Sequence, residues 1–193
     1  MNKKRFTSFA VLCGLIAMFA QVSYAGGIND MTSPLQGRWY LRTVTHQFGV
    51  TWAGTPSQCK NLTWKHAGTD VQAWAPEAVY AAEAGLVKEA STHASEGGWI
   101  VILHTHPGES PFTTVYWHVT PIVSPGQSVT EGQGIGNISN LGARTHFHFG
   151  VRVGSYSNPV SRVGALPQTT ACPPYPPFPG NFINPLSLPY HPK

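Results

Sequence analysis

Apolar and polar positions follow a strand rhythm most clearly between residues 97 and 153. The run GGWIVILHT (97–105) is rich in β-branched and aromatic residues and is bounded by glycines, which predicts a strand. PGESP (107–111) breaks it, and FTTVYWHVT (112–120) predicts a second strand, so 97–120 reads as a hairpin. PIVSPGQSVTEGQGIGNIS reads as a series of turns around short strands, and THFHFGVRV (145–153) as a further strand. Upstream, GRWYLRTVTHQFGVTWA (37–53) predicts one or two strands and 54–63 a loop. The Ala-rich stretch 75–90 is helical by propensity, but Pro76 and Gly85 interrupt it. From Pro167 onward nine prolines fall within 27 residues. Such a tail forms neither regular helix nor central strand and is expected to lie extended on the domain.

The N-terminal pattern is of another kind. MNKKR is basic, FTSFAVLCGLIAMFA is a short apolar run, and Ser23 and Ala25 are the small residues that a signal peptidase reads. Residues 1–25 therefore read as a secretory signal peptide, cut after Ala25. Leu12 before Cys13 does not fit a lipoprotein signal, so no membrane anchor is expected after processing. The charge picture changes with it. The whole chain has a formal charge of +4, but losing Lys3, Lys4 and Arg5 leaves nine basic against eight acidic residues. No basic run or stripe remains, and nucleic-acid binding has no support. Cys59 and Cys172 then form an even pair in an exported chain, for which a disulfide is the economical expectation.

The chemistry lies in the histidines. Side chains alternate along a strand, so His146 and His148 share one face while Phe147 and Phe149 share the other. The same rule places Tyr116 with His118, and Val115, Trp117 and Val119 opposite. If the two strands are neighbours, three imidazoles converge on one side of the sheet, where a divalent cation would satisfy their nitrogens. HAGTD (66–70) adds His66 and Asp70, with Gly68 allowing a tight path between them. Two histidines and one carboxylate leave a fourth position for water, the composition of a catalytic rather than a structural zinc site. A second H-x-H, His104 and His106 in LHTHP, reads as a solvated turn. The six tryptophans read mostly as core, with one or two near His66 available to line a groove.

Four pieces in order, HAGTD, TVYWHV, SPGQSVTEGQGIG and THFHFGV, resemble the lysostaphin-type (LytM) zinc metallopeptidases of family M23 over roughly residues 60–153. The resemblance implies a mostly β single domain whose central antiparallel sheet forms a zinc-containing groove. It implies that one Zn2+ is held by His66, Asp70 and His148, and that His118 and His146 are catalytic groups beside it. Thr145 and Phe147 depart from the family's usual residues around H-x-H; Phe147 faces the core on the strand argument, so this is a change of packing. Residues 26–58 and 160–193 match nothing in that pattern. The expected layout is a signal peptide (1–25), a leader with strands (26–58), the peptidase domain (59–166) and the Pro-rich tail (167–193).

The expected activity is hydrolysis of peptidoglycan stem peptides or cross-bridges by a metal-activated water, in a monomer that is secreted or periplasmic. Two alternatives stand beside it. One is a non-catalytic wall-binding or regulatory module on the same fold, though all ligand positions are kept. The other is a secreted peptidase of Gly-rich proteins.

Overall fold

The computed structural model describes residues 27–50, 66–156 and 181–193. The segment read as a signal peptide and the pair Cys59 and Cys172 lie outside the described residues. Twelve strands are present among them: β1 (Met31–Thr32), β2 (Val44–His46), β3 (Thr69–Val71), β4 (Ala78–Tyr80), β5 (Gly85–His93), β6 (Gly97–His104), β7 (Phe112–Pro121), β8 (Ser128–Val129), β9 (Gly134–Ile138), β10 (Phe147–Val153), β11 (Phe182–Ile183) and β12 (Tyr190–His191). The Ala-rich stretch thus becomes strand and turn, because Pro76 and Gly85 cut it into pieces too short for a helix. In 37–53 the described part gives a 3-10 turn at Trp39–Leu41 and the short strand β2.

Ten of the strands form one antiparallel sheet whose main path is β2-β3-β10-β7-β6-β5-β8. The expected hairpin is its centre: Ile100 pairs with Tyr116 and Ile102 with Thr114 across β6 and β7. On the other side of β7, Phe149 pairs with Tyr116 and His148 with Trp117 of β10. β3 borders β10 in turn, with Asp70 opposite His148.

The two faces of the sheet differ. Phe147, Phe149, Tyr116, Ile100, Ile102, Val71 and Trp39 are all fully buried in the main core on one face. Trp39 meets Phe149 and Tyr190 edge-on, both at 5.3 Å between ring centroids. The opposite face carries a smaller cluster of Val101, Val115 and Trp117, with Trp99 and Tyr156 packed against it. The tail is not merely draped: β11 extends the edge of β10, and β12 pairs in parallel with β1. It does so at sheet edges, where prolines such as Pro185 and Pro189 withhold no ladder hydrogen bond.

Alternation fails at one point. Trp117 opposes Trp99, yet Val119 opposes Gly98, so His118 is an extra residue in β7. Its φ is +63°, the only positive value at a non-glycine among the described residues. This is a β-bulge. There the neighbour of β7 changes from β10 to β9, which pairs from Val119 onward. The bulge overturns the expectation that Tyr116 and His118 share a face. Tyr116 and Val119 both point into the main core, and His118 turns out beside Trp117.

Candidate metal centre

Asp70 and His148 are cross-strand partners on the outer face, and His66 lies just before β3 on the same approach. Their donor atoms meet in a small triangle. His148 Nδ1 is 2.7 Å from Asp70 Oδ1 and 2.9 Å from His66 Nε2, and His66 Nε2 is 3.1 Å from Asp70 Oδ1. All three residues are buried. A Cβ on Gly68 would lie 2.6 Å from both Nε2 and Cε1 of His148 and 2.5 Å from the Phe149 carbonyl oxygen, so only glycine lets the 66–70 segment come this close.

The protons show what the triangle needs. His66 Nδ1 stands 3.0 Å from the Gln47 carbonyl oxygen, which can only accept, so Nδ1 carries the hydrogen. His66 Nε2 therefore aims a lone pair at a carboxylate oxygen that is itself an acceptor. Burial would raise the Asp70 pKa, but the imidazoles of His146, His148 and His66 gathered around it outweigh burial and hold the carboxyl far below its ordinary range. Burial likewise pushes His148 down against the opposing pull of Asp70. Nε2 of His148 is buried without a hydrogen-bond partner among the described residues. Converging lone pairs with one negative charge suit a divalent cation with nitrogen and oxygen preferences, and the spacing is slightly tighter than the edge of about 3.3 Å in a tetrahedral zinc site.

His146 and His118 stand beside this triangle, their ring centroids 4.2 Å apart. Each is fixed through Nδ1 to a backbone carbonyl: His146 donates to Arg144 at 2.6 Å and His118 to Glu96 at 2.8 Å. Both Nε2 atoms are left free of that anchor, and His146 Nε2 lies 3.4 Å from Asp70 Oδ2. The two environments are unlike. Burial, with the neighbouring His146, pushes His118 down to about 3. Burial also weighs on His146, but the Asp70 carboxylate outweighs it and raises the pKa above the ordinary imidazole value.

All five residues singled out in the sequence are thus brought together, His118 by a bulge that no alternation rule foretold. Others went unnoticed. His46 packs its ring 5.9 Å from His66, and Trp117 packs edge-on at 6.4 Å against His148. The carbonyls of Gln47, Glu96 and Arg144 fix three of the imidazoles, and a backbone oxygen leaves no mark in a sequence. One reading is corrected: His104 is not in a solvated turn but fully buried. Its Nδ1 donates to the Ala84 carbonyl at 2.8 Å, and Nε2 lies 2.8 Å from Thr114 Oγ1. Trp74 is 61% exposed rather than core.

The sequence pattern of Peptidase family M23 matches residues 64–160. A zinc-containing peptidase from Vibrio cholerae is similar at 25% identity and a TM-score of 0.48, over 64% of this chain and 37% of that one. The chain thus spans little more than a third of that protein. The catalytic domain of the antimicrobial peptidase lysostaphin from Staphylococcus simulans is similar at 23% identity and a TM-score of 0.47, over 64% of this chain and 90% of that one. Csd3 from Helicobacter pylori is similar at 24% identity and a TM-score of 0.47, over 67% of this chain and 33% of that one.

Proposed function

Since the chain belongs to peptidase family M23, we propose that it is a zinc-dependent endopeptidase cutting peptide bonds in peptidoglycan stem peptides or cross-bridges. The observation that carries the reading is the closure of His66 Nε2, Asp70 Oδ1 and His148 Nδ1 on one another within 3.1 Å, beside two imidazoles anchored through Nδ1. His66, Asp70 and His148 would hold the ion. Bound there, zinc would supply Lewis acidity, bringing the pKa of a water toward neutrality and polarising a carbonyl.

The chain's own groups do the rest. His118 and His146 each present Nε2 to the same small space, and together they can receive both hydrogens of one water and so fix its orientation. His146, whose pKa is raised, is the better proton acceptor as the water attacks, and the proton it takes up passes to the departing amine. His118 stays unprotonated and holds the water in line. The residues read as a signal peptide support an exported enzyme, secreted or periplasmic, where wall peptide is the substrate at hand.

The test is digestion of purified sacculi by the zinc-loaded protein, with products identified by mass spectrometry. New amino groups that disappear on chelation and return with zinc are expected. A protein that binds stoichiometric zinc but releases none overturns the reading in favour of a wall-binding module.

A further inference from the structure

One charged group on the outer face of the sheet has no part in the metal centre. From His148 the register runs across the strands to Trp117 and then to Trp99, and the indole rings of these two lie 5.9 Å apart. On β5 the register partner of Trp99 is Ser91, and Glu89, two residues along and opposite Val101, lies on the same face. Trp99 Nε1 donates to Glu89 Oε2 at 2.9 Å, and the Tyr156 hydroxyl donates to Oε1 at 2.9 Å. Trp117 is buried, whereas Trp99 and Glu89 are partly exposed.

Two neutral donors thus fix both oxygens of a carboxylate without neutralising it. No ion pair reaches Glu89 among the described residues. The adjacent cation, Lys88, has its ammonium over the Tyr156 ring, 5.2 Å from the centroid. A carboxylate accepts about four hydrogen bonds, so the two fixed ones leave room for a further donor from the solvent side. A half-buried anion of set orientation, flanked by an aromatic ring, suits a primary ammonium.

We propose that Glu89 anchors a primary ammonium on the substrate peptide. This rests on the reading of the metal centre as a peptidase site. Three strand spacings of about 4.8 Å separate β10 from β5, about 14 Å. An extended peptide covers that in about four residues, and a lysine-like side chain shortens the path by about two. The substrate class is therefore a peptide with a free side-chain or terminal amine within about four residues of the cut bond. Glu89 sets specificity and takes no part in bond cleavage.

The experiment uses glycine-rich peptides bearing one lysine on either side of the cleaved bond, each with its amine free or N-acetylated. Wild type, Glu89→Gln and Tyr156→Phe are compared by kcat, KM and calorimetric binding. In the wild type the free amine should lower KM by about five- to tenfold in one of the two isomers, with kcat unchanged. Glu89→Gln should erase that difference while zinc content stays the same, and Tyr156→Phe should reduce it. Equal KM for free and acetylated peptides in the wild type, or a preference that survives Glu89→Gln, overturns the anchor while leaving the peptidase reading intact. If no peptide is cut, binding decides the anchor: amine-selective binding lost in Glu89→Gln supports it, and unselective binding overturns it, while digestion of sacculi decides the peptidase reading.

Discussion

Gly68 lies directly against the His148 ring, so close that any side chain there would meet Nε2 and Cε1 at 2.6 Å. The backbone at Phe149 closes the same space from the other side, at 2.5 Å. Gly68→Ala must therefore push the imidazole away from Asp70 and His66. The expected result is zinc affinity weakened by at least about tenfold, with a loss of stability of about 1–3 kcal/mol from overpacking. Chelator competition and denaturant unfolding measure the two. Unchanged zinc affinity would show that His148 is not held by this contact.

Ligand and proton-handling residues should separate in a metal assay. His148→Ala and Asp70→Asn are expected to lose both zinc and activity. His146→Ala and His118→Ala are expected to keep zinc and lose about 10²–10⁴-fold in kcat. Metal content by mass spectrometry beside wall digestion reads the split, and a fully active His146→Ala would refute the assignment of roles.

The bulge makes its own prediction. His118 holds φ at +63°, a region that Asn and His enter far more readily than a β-branched residue. Gly97 makes room beneath it, since a Cβ there would lie 3.1 Å from His118 Cα. Both His118→Asn and His118→Val remove the imidazole, but Val should cost about 1–2 kcal/mol more stability. Chemical denaturation of the two variants side by side gives the difference; equal midpoints and slopes would mean that the left-handed backbone is relaxed.

His104 predicts a pH dependence away from the metal. Burial pushes its pKa down to about 4, below an ordinary value of 6.5. Between these values the unfolded chain binds a proton that the folded chain refuses, so acid favours unfolding. The contribution is whole above pH 6.5, falls as the pH falls, and is gone by about pH 4. It amounts to about 3 kcal/mol. His118 is depressed too and acts in the same direction, so the variant is what isolates His104: His104→Gln should flatten the stability profile from pH 6.5 to 4 by about one proton. A slope identical to wild type would show that His104 is not the titrating group.

Much of the fold was legible because its strands obey alternation. Phe147 and Phe149 went to the core and His148 to the outer face, as a period of two requires. His66 and Asp70 could be read from HAGTD because glycine at position 68 and two donors four apart leave a compact signal. The same rule misplaced His118, since one extra residue in β7 shifts the phase and nothing in VYWHV announces it. His104 escapes the pattern because its acceptor is the Ala84 carbonyl, in the bend just before β5, and its other partner, Thr114, lies across the hairpin. A polar side chain three residues before Pro107 looks like a turn until its partners are known.

The parallel pairing of Met31 with Tyr190 and Thr32 with His191 bears on how the molecule is made. Synthesis delivers residue 31 early and residue 190 late, yet each needs the other. Until the late segment arrives, Met31 has no ladder partner and Trp39 lacks the Tyr190 ring that meets it edge-on. The domain can assemble its central hairpin while the chain is still emerging, but it is sealed only when that segment docks.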